Sequence, residues 1–392
     1  MKGEAIARVL GVAQLPMRTR LPQYTYADLL GRVAAGALAD AQLAAADIDG
    51  LILAMAPTTT LGVDEPQFWA LDGVPGSHRF LARVHTLASS GLVAFRLACA
   101  YVAAKRARRV LVVAADLADE APDLIGAITA LADPFAPRRY PQSAITAHAF
   151  EAAAYMARNG LGERDMAAVI VKNRANGVDN EFAQLRQPVT VEEVLASPVL
   201  AWPIKRLEAS PRSSGAAAMV VGPADAGGPH RAVAATGFGS FANHGHSGAR
   251  MVPGVDESYF DAADLAAAAR RAYRMAGIDN PAADLDLAEV YASFGIVELL
   301  SIEGLGLSRG HNAARLIGEG HFRRDARLPV NASGGATCGT PISATGLIRV
   351  IECVLQLRGE AGARQVAKTP HRAVAAAIGG LFQLHDIAVL EA

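Results

Sequence analysis

The chain has 392 residues, 37 Lys plus Arg against 38 Asp plus Glu, and a formal charge of -1. At 52% hydrophobic and 19% charged it can bury a large aliphatic core, which excludes wholesale disorder. Near-neutrality excludes a nucleic-acid partner that needs a basic face. The length fits two or three structural units. Three cysteines (Cys99, Cys338, Cys353) are too few for a disulfide framework and point to a reducing cytoplasm.

In chain order, MKGEAIARVLGVAQ reads as a first strand, without the long apolar stretch of a signal peptide. Residues 27–54 read as an amphipathic helix followed by a short apolar strand. Ala88-Ser89-Ser90-Gly91-Leu92 opens an apolar helix, and Arg96 interrupts it short of the roughly 18 apolar residues of a membrane span. The basic run Lys105–Arg109 suits that helix's C-terminus and solvent. It leads into the strand ARRVLVVAADL. From about 118 to 215 the pattern is less regular, with an Ala-rich helix over 144–158, and reads as an insertion covering one end of the first sheet.

Gly237-Phe238-Gly239-Ser240-Phe241-Ala242 fits a G-x-G-x-x-A fingerprint, but Asn243–Gly248 follows where a dinucleotide site needs a helix. A ligand-lining loop is the remaining reading. His244 and His246 lack a nearby carboxylate or cysteine, so no metal site is expected. Residues 263–291 repeat the helix-then-strand pattern of 27–54. Ser343–Leu347 opens a second apolar helix, followed by HRAVAAAIGGLF. The sequon at Asn331 carries no meaning in a cytoplasmic protein.

The internal repeat predicts an α/β protein of two similar halves. The expected division is 1–225, including the inserted loop region 118–215, and 226–392. Apolar strands without alternation predict sheets covered on both faces.

The repeat, the elbow ASSGL (88–92), the motif PVNASGG…GTPISATG (329–346) and EVYASF (289–294) together resemble the thiolase superfamily. The likeness is greatest to its sterol-carrier/lipid-transfer-like branch. It extends through VKNRANGVDNEFAQ (171–184) and SSGAAAMVVG (213–222), so it covers essentially the whole chain. It implies a layered thiolase-like fold with an inserted loop domain, and a coenzyme A thioester as substrate, with no bound cofactor. It also implies a homodimer with Val110–Ala115 near the twofold axis, and a small zinc-ribbon/OB-fold (DUF35-type) partner protein.

The family's catalytic positions are altered. Ala88 stands where a nucleophilic cysteine begins the elbow helix, and a methyl group cannot carry an acyl chain. Thr340 stands at the histidine of the GHP motif, and threonine does not titrate near neutrality. Near the C-terminus AAAIGG has no cysteine before Gly379 and Gly380. Tyr291 replaces the Asn or His of the NEAF/HDAF-like motif. Thiolysis through an acyl-cysteine is therefore not expected.

Backbone amides at Ala88 and at Gly379–Gly380 can still stabilise a thioester enolate, the intermediate of retro-aldol cleavage. The resemblance then implies Tyr291 as acid/base, with Thr340 and Ser89 as supporting donors. Phe294, Ser247 and Arg139 are expected to line the substrate or hold CoA phosphates. Bland readings stand beside these: a core tyrosine at 291, helix capping by Ser89 and Ser90, and a packed small hydrophobe at Cys338. Two other functions remain open. One is an acyltransferase with a displaced nucleophile, Cys338 or Ser89; the other is a non-catalytic acyl-CoA-binding subunit.

Overall fold

The computed structural model of the chain describes residues 3–56, 62–76, 78–124, 126, 143–243, 262–380 and 382–392. Eleven strands among them are β1 Ala7–Gln14, β2 Gly50–Met55, β3 Phe80–Val84, β4 Val110–Asp116, β5 Val199–Ala201, β6 Ile204–Lys205, β7 Gly215–Gly222, β8 Val233–Ala242, β9 Leu287–Val290, β10 Arg372–Gly379 and β11 Leu384–Glu391. The principal helices are α1 Tyr26–Asp40, α2 Ser90–Ala103, α3 Ala144–Asn159, α4 Glu163–Gly177, α5 Ala263–Ala276, α6 Gly295–Gly304 and α7 Thr345–Arg358.

Nine strands join in the order β3-β2-β4-β7-β1-β8-β11-β10-β9. The order is palindromic about the β1–β8 seam. In one half β2 runs parallel to β4, which is followed by antiparallel β7 and β1. In the other, β9 runs parallel to β10, which is followed by antiparallel β11 and β8. Strand β3 has only a vestige as its counterpart. Where β3 pairs with β2 over five residues, the second half makes a single parallel bridge between Ala288 and Val330. Pro329, just before Val330, has no N–H to extend that ladder.

Side-chain alternation turns this sheet into five layers. Ile52 and Ala54 of β2, and Ala375 and Ala377 of β10, face a shared core with α2 and α7. On the opposite faces, Leu51, Leu53 and Met55 pack under α1. Val374, Ala376 and Ile378 pack under α5 and α6. Strands covered on both faces bury every residue, which is why β2 and β4 read as unbroken apolar runs.

The central helices touch through the glycines that made the repeat visible. A Cβ on Gly91 would lie 2.5 Å from the Leu347 amide nitrogen, and one on Gly346 2.8 Å from the Ala88 carbonyl. The fingerprint glycines have a similar purpose: Cβ atoms at Gly237 and Gly239 would fall 2.2 and 1.9 Å from the carbonyls of Ala272 and Ala268. They let α5 lie on β8, so this segment is a packed strand and not a ligand-lining loop.

Three expectations are corrected. The helices of the inserted region pack on the second half, because Ala149, Ala152 and Tyr155 of α3 and Met166 and Val169 of α4 join the apolar cluster of α5 and α6. Val110–Ala115 lies inside the sheet, between β2 and β7, whereas β3 is the outermost strand of that half. Ser89 starts α2 without a side-chain cap; its hydroxyl turns back to the preceding turn. No described helix is long and apolar enough to cross a membrane.

Candidate functional site

Crevices outside the carboxyl ends of parallel strands are where open α/β sheets bind ligands. Here the ends of β3, β4, β9 and β10 converge. A Cβ on Gly379, at the end of β10, would lie 2.6 Å from both Ser89 Oγ and the Thr86 carbonyl, just beyond β3. Asp116 ends β4 and accepts from the Ser343 amide and, at 2.6 Å, from the Ser343 hydroxyl at the mouth of α7. Tyr291 follows β9 and its amide donates to the Ala376 carbonyl of β10 at 2.8 Å.

The first-half elbow is held by hydroxyls. Leu87 adopts φ +56°, a left-handed turn that reverses the chain into α2. Ser89 Oγ donates within the preceding turn, 3.0 Å from the Thr86 carbonyl and 2.8 Å from Thr86 Oγ1. Ser90 Oγ donates to the Leu87 carbonyl at 2.6 Å and accepts from the Thr86 amide at 2.8 Å. Ala88 is buried between them.

The second-half loop, 331–341, is held by buried charge. Arg349 of α7 pairs with Glu289 at 2.7 Å, and Glu289 accepts from the Ser333 hydroxyl at 2.7 Å and its amide at 3.0 Å. Lys172 of α4 pairs with Glu298 at 2.8 Å and donates to the Val330 carbonyl at 2.7 Å. Asn331 donates to Glu298 at 2.6 Å and accepts from the Val290 amide at 2.8 Å. It is fully buried, so its sequon is structural.

Cys338 is seated away from solvent, its Sγ 3.4 Å from the Asn173 carbonyl. Cβ atoms on Gly177 and Gly334 would come within 2.6 and 2.8 Å of that sulfur. Burial pushes its thiol up to about 12, so almost no thiolate exists near neutral pH. The geometry fits the packing reading of Cys338 and disfavours a displaced nucleophile. Cys99 and Cys353 are likewise buried, within α2 and α7.

Thr340 is placed differently. Its amide donates to Ser213 Oγ at 2.9 Å, while its buried hydroxyl has no partner among the described residues. Burial raises the Tyr291 phenol above its usual value, with a hydrogen bond to Ser293 opposing the shift. A phenol held protonated is a donor rather than a base. Desolvation likewise raises Asp116 to about 6. Ser247 and Arg139 lie outside the described residues.

Phe294 opens α6 and packs, with its ring tilted, against a group that sequence reasoning missed. His148 of α3 has its ring 5.0 Å from Phe294 and 6.3 Å from Phe382, which follows Gly379–Gly380. His148 Nδ1 is 2.5 Å from Glu151 Oε2, and both are buried. The signal was present: His and Glu three apart on a helix share a face. The Ala-rich context made the segment read as packing alone. A cleft of about 580 Å³ beside α4 is lined by Lys172 but not by Tyr291, Thr340 or His148, and the described residues hold no cluster suited to a metal ion.

Known proteins share this chain's sequence pattern and fold. The sequence model of the thiolase C-terminal domain-like family matches residues 254–392. An acetyl-CoA acetyltransferase of Methanothermobacter thermautotrophicus is 31% identical over 377 residues, 91% of this chain and 92% of that protein. Human sterol carrier protein 2 is 30% identical over 221 residues, 54% of this chain and 39% of its own. Among solved structures, an Ltp2-ChsH2(DUF35) aldolase superposes with a TM-score of 0.82 at 22% identity, covering 100% of this chain and 98% of that one. Human mitochondrial 3-ketoacyl-CoA thiolase in complex with CoA gives 0.72 at 16% identity, over 100% and 98%. The fold is thus thiolase-like. The chain belongs to the thiolase superfamily.

Proposed function

We propose that this protein cleaves or forms a carbon–carbon bond in an acyl-CoA thioester by aldol-type chemistry, without an acyl-enzyme. The observation that carries this reading is the elbow itself. By the family resemblance Ala88 falls at the nucleophile position, and it is buried; Tyr291 follows β9, and the Thr340 hydroxyl has no partner among the described residues. A retro-aldol step needs a polarised thioester carbonyl and a proton acceptor, and it needs no nucleophile on the protein. In this reading the amides at Ala88 and Gly379–Gly380 hold the thioester oxygen. Tyr291 and Thr340 donate to substrate oxygens.

The direct test is Tyr291→Phe in a cleavage assay on β-hydroxyacyl-CoAs. Loss of one preorganised donor is expected to lower kcat about 10²–10³-fold; unchanged turnover removes Tyr291 from the chemistry. A covalent acyl adduct on Ser89 or Cys338, found by mass spectrometry after incubation with acyl-CoA, overturns the reading in favour of acyl transfer.

Two features of assembly belong to the same proposal. The DUF35 component named in the solved aldolase suggests a small partner protein for this chain. A homodimer is supported by β3, whose described hydrogen-bonded neighbour in the sheet is β2 alone.

A further inference from the structure

The geometry points to His148, oriented by Glu151, as the group that takes up and returns the proton in this carbon–carbon bond chemistry. The inference rests on the aldol-type reading and supplies what that reading lacks, a side chain whose ring nitrogen can both accept and return a proton.

Position comes first. The imidazole packs beside Phe294, three residues after Tyr291, and Phe382, three residues after Gly379. It therefore stands over the two loops leaving β9 and β10, at the same end of the sheet as the elbow. It is carried by α3, whose Ala149, Ala152 and Tyr155 are fixed in the apolar cluster. A base on a packed helix is held more closely than one on a loop.

Orientation follows from the hydrogen bond. A carboxylate oxygen accepts, so in this proposal the Glu151 contact at 2.5 Å takes the hydrogen on Nδ1. Nε2 is left with its lone pair, and no partner for it is found among the described residues. The His148 side chain keeps 7% of its surface accessible against 1% for Glu151. The carboxylate is sealed beneath while the ring retains an open edge. Glu151 Oε1 is buried and unpartnered among the described residues, so its charge is available to stabilise an imidazolium as it forms.

The proton balance closes within the substrate. His148 Nε2 takes the proton of the β-hydroxyl. The oxygen's electron pair forms the Cβ carbonyl, and the Cα–Cβ bond breaks with its electrons moving into the thioester enolate. The imidazolium then returns its proton to Cα. The products are a shortened or unsubstituted acyl-CoA and an aldehyde or ketone, with no external oxidant or reductant.

The experiment uses the full chain, with its partner protein if one co-purifies, on a panel of β-hydroxyacyl-CoAs. His148→Ala is expected to lower kcat about 10²–10⁴-fold, and added imidazole to restore part of the loss. Glu151→Gln is expected to lower kcat about tenfold with KM within about twofold, and Glu151→Asp to recover part of it. A fall in kcat that imidazole does not restore, with unchanged melting behaviour, marks His148 as structural and overturns the inference. If wild type cleaves the panel and His148→Ala does so equally well, the inference fails and the aldol reading stands. If wild type leaves every member intact, both fail together.

Discussion

The elbow entering α2 and the loop entering α7 do the same job in the two halves of one pseudo-symmetric sheet, yet they are held in opposite ways. The first follows a five-residue strand and is closed by three neighbouring hydroxyls, Thr86, Ser89 and Ser90. The second follows a single bridge at Val330 and is tied down by two buried ion pairs reaching it from α4 and α7. Where a strand already fixes the backbone, short-range hydrogen bonds suffice. Where the strand is reduced, the chain must be anchored from other elements. Only the second arrangement couples the loop carrying Thr340 to the inserted helices.

That contrast has measurable consequences. The largest is expected for Arg349→Met, which leaves Glu289 buried against Ser333 without its cation. Removing one member of such a pair costs about 3–5 kcal/mol, read as a lower urea midpoint. A change within error shows that the loop does not depend on this charge.

Next comes the dependence on pH at Asp116, the link between β4 and the α7 entry. Its folded-state value of about 6 lies above the ordinary 3.8, so the folded protein binds this proton more tightly than the unfolded chain. Its contribution is fully present below pH 4 and is lost as pH rises to about 6. The loss amounts to about 3 kcal/mol at most. Asp116→Asn still accepts from Ser343 and cannot ionise, so its stability is expected to fall less than wild type between pH 4 and 7. Parallel curves sink the assignment. The smallest effect is expected for Ser90→Ala, which strands the Thr86 amide and costs roughly 1–3 kcal/mol, without touching the charged loop.

Much of this was legible before folding. The repeat placed α1 and α5 and the strands after them, and ASSGL and SATGL marked the starts of α2 and α7. Small residues there had a physical reason, the close crossing at Gly91 and Gly346. The placement of the inserted helices was not legible, because an Ala-rich face fits either half equally well. The edge position of β3 was hidden for a related reason: β4 is as apolar as an interface strand, and only strand order reveals that it is internal.

For the site, the sequence by itself determined what is missing. By the resemblance, Ala88 and Thr340 stand where an acyl-cysteine and a histidine base are expected, and no packing can restore those atoms. The tertiary structure decided what stands there instead. It buried Cys338 beneath Gly177 and Gly334, left the Thr340 hydroxyl without a partner among the described residues, and brought His148 and Glu151 from α3 beside Phe294 and Phe382. The physical reason is separation along the chain: His148 and Phe382 lie more than half the sequence apart, and only the packing of α3 on the second half makes them neighbours.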